Sequence, residues 1–374
     1  MNILFVCGGT AGHINPALAI AEEFLKTMPD TEIKFIGAGR EMEKKLIPKA
    51  GYELFNIRMS GLKRGLSPND MLHNAKMLRY LATAGREAAE IIDHFNPNAV
   101  IGTGGYICYP VLKKAAMIGI PSFIHESNAM PGLTTKLLSS IVDRVLVSFP
   151  GVENNYRRPE RVVFTGTPIL GGFEDRSAVE HLRDVNEKGF IVSFWGSLGA
   201  EGMNEKIAEF IKLNIDSGEF RHVHATGRAG GVAEMSSRLK RIGVSGELPP
   251  DVEIIEYIDD MDSVMADADI VLCRAGGSTI AELTAMGKPA ILVPSPYVSN
   301  NEQEKNAEQL QKAGGAIVID ENKCTGRMLF DTVSSILRDG SRLKRMADAQ
   351  RLLGVHNAAE RIFGIVTSLI NGER

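Results

Sequence analysis

Short, continuous runs of apolar and β-branched residues recur along the whole chain, and helical patterns separate them. In the first half these runs cover residues 3–7, 33–37, 99–103, 122–125, 145–149 and 162–165. In the second half they cover residues 190–194, 222–226, 252–258, 270–274, 290–293 and 316–319. Apolar runs of this length without polar alternation are typical of parallel strands that helices bury on both faces. The pattern predicts an α/β protein built from doubly wound, Rossmann-like parallel sheets.

The length of the chain and its turns predict two such domains. A chain of 374 residues is long enough for two cores. The first series of strands ends at a Gly-Thr-Pro segment, and a new strand–glycine loop–helix unit starts at Phe190. The boundary therefore falls within residues 165–189. We expect an N-terminal domain over 1–165, a C-terminal domain over 166–340, and helices over 341–374 that pack back on the N-terminal domain.

Charge and cysteine content narrow the function classes. The formal net charge is −4, which does not favour a nucleic-acid binder. The four cysteines are far apart and form no C-x-x-C pair, so a disulfide framework and a zinc site are not expected, and a reduced cytosolic compartment fits best. No run approaches the roughly 18 apolar residues of a membrane span. We expect a protein that is soluble or at most attached to a membrane surface.

Four glycine-rich or polar turns follow predicted strands. They are GGTAGH at 8–13, GTGGY at 102–106, GSLGA at 196–200 and RAGGST at 274–279. Ligands of doubly wound sheets bind at the carboxyl ends of strands. Glycines let the backbone approach a ligand, and the helix that follows offers free N–H groups and a positive dipole end. Turns of this kind on two sheets predict a cleft between the domains that binds a phosphorylated ligand.

The fourth turn also offers a carboxylate. Ser278 or Thr279 could cap the helix that begins there, and Glu282 follows one turn later. A carboxylate at this place could accept hydrogen bonds from both hydroxyls of a ribose. The alternative is an acid near a helix N-terminus that only interacts favourably with the helix dipole.

Taken together, these segments resemble the MurG family of peptidoglycan N-acetylglucosaminyltransferases, which belongs to the glycosyltransferase-B class. The resemblance runs in the family's order from residue 3 to about residue 320. The matching stretches are GGTAGHINPALAIA, GTGGYICYP, GIPSFIHESNAMPGLTTKLLS, GTPI, SFWGSLGA, YIDDM, ADIVLCRAGGSTIAELTAMGKPAILVP and NEQEKNA. The AGGSTIAEL and HESNAMPGLT segments are the more specific ones.

The resemblance implies a fold, a reaction and a location. The fold has two Rossmann-like domains that face a cleft. The reaction transfers N-acetylglucosamine from UDP-N-acetylglucosamine, with inversion, to lipid I, the undecaprenyl-diphosphate-linked N-acetylmuramoyl-pentapeptide, and forms lipid II in peptidoglycan synthesis. The resemblance implies no cofactor and no metal, and a peripheral position on the cytoplasmic face of the cell membrane. Alternatives are another metal-independent transferase of the same fold, a UDP-N-acetylglucosamine epimerase-like enzyme, and a non-catalytic nucleotide-binding regulator.

Family positions also imply a substrate-binding set. Ser197 and the backbone of the fourth turn would hold the diphosphate, Glu282 the ribose, and Tyr257 with Ile258 would flank uracil. Three residues of the NEQEKNA segment would read sugar hydroxyls, and Asn128 with the first turn would meet the donor sugar from the other domain. The full set is Thr10, Ala11, Gly12, Asn128, Ser197, Tyr257, Ile258, Gly276, Gly277, Ser278, Thr279, Ile280, Ala281, Glu282, Glu302, Gln303 and Asn306.

The sequence departs from the family pattern at four positions. Leu170 stands where many members have arginine, and Leu198 stands where glutamine is common. Ala11 replaces a common glycine, and Ser127 replaces the glutamine of a His-Glu-Gln-Asn segment. These differences bear on the contacts to the donor and not on the fold.

An inverting transfer needs a base that deprotonates the acceptor hydroxyl. His13 is the first candidate because it ends the first turn and because histidine titrates near neutrality. The alternative is a histidine that only hydrogen-bonds the acceptor or the backbone. Glu126 is the second candidate, while the neighbouring His125 is interpreted as a buried structural residue.

A stretch between residues 67 and 95 is both apolar and basic. Its residues are Met71, Leu72, Met77, Leu78 and Leu81 with Lys76 and Arg79, and Lys63-Arg64 precede them. Such a helix could lie in a membrane interface, which would bring the enzyme to a lipid-linked acceptor. The alternative is an ordinary amphipathic helix that covers the core.

Overall fold

The computed structural model describes residues 1–59, 67–173, 188–228 and 230–373. The chain forms two compact units. The first comprises Met1–Leu170 and Asn357–Arg374, and the second comprises Gly171–His356. The division falls five residues after the expected end of the N-terminal domain, inside the interval that the turns had indicated.

The first unit is a seven-stranded parallel sheet with helices. Its strands lie in the order β3-β2-β1-β4-β5-β6-β7, with their pairs in parallel register. The strands are β1 (Asn2–Cys7), β2 (Glu32–Gly37), β3 (Glu53–Asn56), β4 (Ala99–Gly104), β5 (Ser122–Glu126), β6 (Arg144–Val147) and β7 (Val162–Phe164). The helices are α1 (Ala11–Thr27), α2 (Glu41–Lys49), α3 (Pro68–Phe95), α4 (Cys108–Met117) and α5 (Leu133–Leu138), with 3₁₀ turns at Glu153–Asn155 and Pro159–Arg161.

The second unit is a six-stranded parallel sheet in the order β10-β9-β8-β11-β12-β13. Its strands are β8 (Gly189–Phe194), β9 (Phe220–Ala225), β10 (Val252–Ile255), β11 (Ile270–Cys273), β12 (Ala290–Leu292) and β13 (Ala316–Val318). Its helices are α6 (Glu201–Ser217), α7 (Gly231–Arg241), α8 (Met261–Asp267), α9 (Gly277–Ala285), α10 (Glu302–Ala313), α11 (Gly326–Leu337) and α12 (Gly340–Leu353), with a 3₁₀ turn at Ser299–Asn301. The predicted fold class, two doubly wound α/β domains, is confirmed.

Burial explains why the strand predictions succeeded. The central strands β1, β4 and β5 are buried nearly throughout, and so are β8 and β11. Helices cover both faces of each sheet, so no alternation between apolar and polar residues is required. In each unit the first strand, β1 or β8, lies inside the sheet between two other strands. The turn after it is therefore flanked by the turns that follow those two strands.

The sequence analysis missed one strand, β3. This strand lies at the edge of the first sheet, and its two end residues are exposed while its two middle residues are half-buried. Lys34 of β2 pairs with Glu53 of this strand, and its ammonium lies 3.1 Å from the Glu53 carboxylate and 3.3 Å from that of Glu32. A short edge strand that carries charges lacks the continuous apolar run by which the other strands were found.

The C-terminal helices do not form one tail. Helix α12 packs against α9, α10 and α11 of the second unit, whereas α13 (Ala358–Ile370) packs against α1 of the first. Phe363 of α13 meets Phe24 edge to face, and Ile362 and Val366 are fully buried. The chain thus returns to the first unit at residue 357 and not at residue 341. Among the residues that the structure describes, none of the helices combines the length and the apolar content that crossing a bilayer requires.

Two histidines are buried in the second core without a charged partner. His222 and His224 lie on β9, and the hydroxyl of Ser193 on β8 lies 2.8 Å from the first ring and 2.7 Å from the second. Burial lowers the pKa of His224 to about 3 and that of His222 well below its ordinary value. Both rings are therefore neutral in the folded protein at neutral pH.

The free energy of unfolding of the second unit should fall in acid. Below the unfolded pKa of about 6.5 the unfolded chain takes up protons that the folded chain refuses. The stabilisation is fully present above that pH and decreases towards the folded pKa, by about 1.4 kcal/mol per histidine and pH unit. Urea unfolding followed by Trp195, the single tryptophan, reports on this unit. The pH dependence should weaken in His222→Gln and persist when the exposed His356 is changed to Gln; a midpoint independent of pH would contradict the account.

Candidate active site

The turn after β1 is closed against the turn after β4. The Gly8 amide donates to the Gly104 carbonyl over 3.1 Å, and Gly105 lies directly against Gly8. A Cβ on Gly105 would lie 2.8 Å from the Gly8 oxygen, and the φ of Gly105 is +89°. Only glycine permits both this conformation and this approach. Two of the four predicted glycine turns thus form one structure at the carboxyl edge of the first sheet.

His13 lies in the first turn of α1 and is held at three points. Its Nδ1 lies 2.7 Å from the Gly8 carbonyl oxygen, and its own carbonyl accepts a 2.7 Å hydrogen bond from the Thr103 hydroxyl. Its ring packs on Gly104, where a Cβ would come within 2.7 Å of Nε2. A carbonyl oxygen can only accept, so in the neutral ring Nδ1 carries the proton and Nε2 has the lone pair. Thr10, Ala11 and Gly12 form the exposed to half-buried start of the same helix.

His125 is buried, as the sequence interpretation held. Its Nε2 lies 3.0 Å from the Gly166 carbonyl oxygen, and Ser127 contacts its Nδ1 at 3.4 Å. Burial lowers its pKa to about 4. The neutral ring therefore ties the end of β5 to the Gly-Thr-Pro segment after β7.

Glu126 is saturated with hydrogen bonds. One carboxylate oxygen accepts from the backbone and side-chain amides of Asn128, at 3.2 and 3.0 Å. The other accepts from the Gly132 amide at 3.0 Å and from the Thr135 hydroxyl at 2.7 Å. With 6% of its surface exposed, this side chain fixes the loop between β5 and α5 and orients Asn128. Both carboxylate oxygens are already bound to groups of this loop, so these contacts favour a positioning role over the predicted role as a base.

In the second unit the turn after β8 is closed against the turn after β9. A Cβ on Gly199 would collide with the Thr226 carbonyl oxygen and lie 3.2 Å from the Gly227 Cα, and the φ of Gly199 is +75°. The side chain of Asn204 also binds the Thr226 carbonyl at 2.9 Å. Ser197 is half-buried in this turn, and Leu198, which replaces a common glutamine, is 64% exposed.

The fourth turn leads into α9, which begins two residues earlier than a Ser278 cap would require and three earlier than a Thr279 cap would require. Gly276 is the N-cap residue, in an extended conformation, and no side chain caps the helix. The prediction that Ser278 or Thr279 caps α9 is therefore wrong, because both lie inside the first turn. Because Gly276 is the cap, the amides of Gly277, Ser278 and Thr279 lie in the first turn of the helix, where backbone donors have no acceptor within the helix.

Buried side chains brace this fourth turn from behind. Arg274 donates to the Val293 carbonyl at 2.9 Å and forms a 2.6 Å ion pair with Glu321. Its guanidinium lies 5.8 Å from the centre of the Trp195 ring, at the end of β8. Asn306 of α10 donates to the Ala275 carbonyl at 3.0 Å and has no exposed surface. The sequence reasoning expected Asn306 to read sugar hydroxyls, but its side chain is directed into the turn that α9 follows.

Glu282 is the sixth residue of α9, with Ile280 and Ala281 before it. Burial raises the pKa of its carboxyl to about 8. The pKa of Tyr257, after β10, is also raised, first by burial and then by the nearby Asp259 and Glu282 carboxylates. Tyr257 is 47% exposed while Ile258 is buried, so an accessible ring lies beside a desolvated acid.

The start of α10 carries the other two predicted sugar contacts. Glu302 and Gln303 are half-buried in its first turn, and the Gln303 oxygen accepts from the Ser295 amide at 2.8 Å. Asn300 and Asn301, just before the helix, both adopt positive φ, +55° and +52°. Two successive non-glycine residues in this conformation indicate a tightly determined loop of the kind found at ligand sites.

The predicted site residues thus fall into two sets, one at the carboxyl edge of each sheet. Sequence reasoning missed several residues that hold these sets in place: Glu43, Thr135, Arg274 and Glu321. Glu43 alone gave a signal, an acid in the first turn of a predicted helix. Within the described ranges, no three histidine, cysteine, aspartate or glutamate side chains are grouped as metal ligands.

Known proteins match this chain over both units. The glycosyltransferase family 28 N-terminal domain model matches residues 3–147, and the family 28 C-terminal domain model matches residues 190–362. The chain is 41% identical to the UDP-N-acetylglucosamine–N-acetylmuramyl-(pentapeptide) pyrophosphoryl-undecaprenol N-acetylglucosamine transferase of Acetivibrio thermocellus, with 100% of this chain and 99% of that relative covered.

Solved structures share the fold. Acinetobacter baumannii MurG superimposes with a TM-score of 0.72 at 23% identity, covering 98% of this chain and 100% of its own. S. aureus MnaA, in a co-structure with UDP, gives a TM-score of 0.70 at 15% identity, covering 99% of this chain and 97% of its own. The predicted family resemblance is confirmed by the family models and the full-length relative: the chain belongs to glycosyltransferase family 28, among the MurG transferases.

Proposed function

We propose that the protein transfers N-acetylglucosamine from UDP-N-acetylglucosamine to lipid I and so forms lipid II in peptidoglycan synthesis. The relative from A. thermocellus bears the name of this reaction and aligns over the whole chain. The observation that carries the proposal is the glycine turn before α9: the helix has an extended glycine cap, its first amides lack acceptors within the helix, and Glu282 follows on the same helix. This arrangement suits a nucleoside diphosphate, since amides at a helix start favour phosphate oxygens.

The transfer assay should use labelled UDP-N-acetylglucosamine, a lipid I analogue and an excess of EDTA. We expect labelled lipid II analogue at a rate that EDTA does not lower, because backbone amides and helix dipoles stabilise the departing UDP. Omission of the acceptor should abolish product. Epimerised or hydrolysed sugar without acceptor would instead favour the epimerase-like alternative.

His13 is proposed as the base. Its Nδ1 proton is directed to the Gly8 carbonyl, which leaves Nε2 as a proton acceptor beside Gly104. When the acceptor hydroxyl attacks the anomeric carbon, the bond to UDP breaks and the hydroxyl proton passes to Nε2. Asn128, oriented by Glu126, would contact the donor sugar.

His13→Ala should lower kcat by about 10²–10⁴-fold, the usual contribution of a positioned base. The dissociation constant for UDP should change little, because the diphosphate elements lie in the second unit. Turnover measured with the lipid I analogue and calorimetry with UDP separate the two effects. His356→Ala, at an exposed histidine, is the matched control; a near-normal kcat in His13→Ala would remove His13 from the mechanism.

Glu282 is proposed to accept hydrogen bonds from the ribose hydroxyls. Without ligand its pKa of about 8 leaves it mostly protonated at neutral pH. Two hydroxyl donors favour the ionised form, so UDP binding should release a proton from this carboxyl.

UDP affinity should therefore rise with pH up to about 8, by as much as tenfold per pH unit, and level off above it. Calorimetry over this range measures the effect. Glu282→Gln should bind UDP more weakly and lose that part of the pH dependence, while Glu304→Gln, at an exposed glutamate of the same unit, keeps it. Equal pH slopes in the wild type and Glu282→Gln would rule out the ribose assignment.

We also propose that α3 brings the enzyme to the cytoplasmic face of the cell membrane, where it binds peripherally. Met71 and Leu72, in its first turns, are 64% and 58% exposed, whereas Met77 is buried and Leu81 half-buried. The side chains of Lys76, Leu78 and Arg79, and the whole of Lys63-Arg64, lie outside the described residues. The helix thus covers the core with one part and exposes apolar side chains with another.

Replacement of Met71 and Leu72 by glutamine should lower the fraction of protein that sediments with anionic vesicles. The exposed thioether and aliphatic groups would otherwise enter the interface. Leu352→Gln removes a leucine of the second unit that is even more exposed, at 87%, and should have no effect. Wild-type protein that fails to sediment with the vesicles at low salt would contradict membrane docking.

A further inference from the structure

A buried carboxylate lies behind the first glycine turn. Glu43 belongs to the first turn of α2 and has no exposed surface. One of its oxygens accepts from the Arg40 amide at 2.9 Å, which is the ordinary bond of an acid to the start of its own helix. Its other oxygen leaves the helix and accepts from the Gly9 amide at 2.7 Å. The second bond joins α2 to the turn that carries His13.

The Gly9 amide and the Gly8 carbonyl belong to the same peptide group. On one side of this group Glu43 accepts the N–H, and on the other side the carbonyl oxygen lies 2.7 Å from Nδ1 of His13. The three groups form a continuous chain from carboxylate through peptide to imidazole. A hydrogen bond from its N–H to a carboxylate polarises a peptide and strengthens its carbonyl as an acceptor.

The surrounding backbone leaves room for this carboxylate and holds the peptide still. A Cβ on Gly37 would lie 2.7 Å from one Glu43 oxygen, so the carboxylate fits beside β2 only because residue 37 has no side chain. The Gly8 amide is bound to the Gly104 carbonyl at 3.1 Å, and Gly105 blocks the other side of Gly8. Rotation of the Gly8–Gly9 peptide would break its bond to Glu43 and its bond to His13 together.

We propose that Glu43 is a positioning residue for His13 and acts through the Gly8–Gly9 peptide. It fixes the carbonyl that binds the Nδ1 proton, so that the imidazole presents the lone pair of Nε2 to the acceptor hydroxyl. The proposal rests on the role of His13 as the base. It adds a buried acid that does not touch substrate but determines which ring nitrogen is free.

The test combines NMR of the ring with kinetics. In wild-type protein labelled with ¹⁵N-histidine and ¹⁵N-glycine, neutral His13 should be protonated at Nδ1, and the Gly9 amide proton should be shifted downfield by its short bond to a carboxylate. Glu43→Gln should populate the tautomer protonated at Nε2 and lower kcat by about tenfold or more, the lower range for removing an outer partner of a functional side chain. KM for UDP-N-acetylglucosamine should change much less than kcat, because the proposed diphosphate and ribose contacts lie in the second unit.

Glu41→Gln, at an exposed acid of the same helix, is the matched control and should leave ring and rate unchanged. A folded Glu43→Gln with the wild-type tautomer and kcat would overturn the proposal while His13→Ala still lowers kcat. If His13→Ala itself leaves kcat unchanged, the base assignment fails instead. Should Glu43→Gln not fold, the wild-type spectrum decides: a ring protonated at Nε2, or a Gly9 amide without the shift, overturns the proposal, and the opposite pattern supports it.

Discussion

In each unit, the candidate site residues depend on a close approach between the backbones of the turns that follow neighbouring strands. In the first unit Gly105 lies against Gly8, and in the second Gly199 and Gly227 lie against each other. A β-carbon on any of these three would come within 3.0 Å of backbone atoms, and all three have positive φ. The approach brings helix starts to the carboxyl edge of each sheet, where their amides can meet an anionic ligand.

The buried polar residues explain why these turns stay in place. Glu43, Glu126 and Asn306 each hydrogen-bond the backbone of a loop from a buried position. A buried carboxylate or amide is stable only when it is satisfied, so removal of a loop contact would leave an unpaired group. Accessible residues at the turns, such as the half-buried Ser197 and the exposed Tyr257, are thus distinct from the buried residues that hold the turns.

The sequence predicted the sheets and the turns because their signals are local. Continuous apolar runs indicated the buried strands, and glycine clusters after them indicated the turns at their carboxyl ends. Edge strand β3 escaped because charged residues at a sheet edge produce no such run. The split of the C-terminal helices also escaped, because α12 and α13 are both amphipathic and only packing determines which core each one covers.

Side-chain roles were harder to predict because they depend on direction and burial. Asn306 and Gln303 share a helical face with the spacing expected of ligand-binding residues, yet Asn306 is directed inward to Ala275. Glu43 lies in a charged stretch that indicates a solvated helix, and its burial follows only from the glycines of neighbouring strands. Ser278 and Thr279 have the chemistry of helix caps, but Gly276 already has the extended conformation that begins the helix.

In the proposed mechanism the closed glycine turns bind the UDP diphosphate through the backbone. Calorimetric titration of UDP, in the presence of EDTA, into Gly199→Ala and Gly243→Ala measures this contribution. Both glycines have positive φ, but a Cβ meets backbone at Gly199 and open space at Gly243. We expect Gly199→Ala, still folded, to bind UDP about tenfold or more weakly, which corresponds to about 1.4 kcal/mol or more, while Gly243→Ala binds it normally. Equal affinities in the two variants, or a wild type that binds UDP only when a divalent ion is added, would contradict this mechanism.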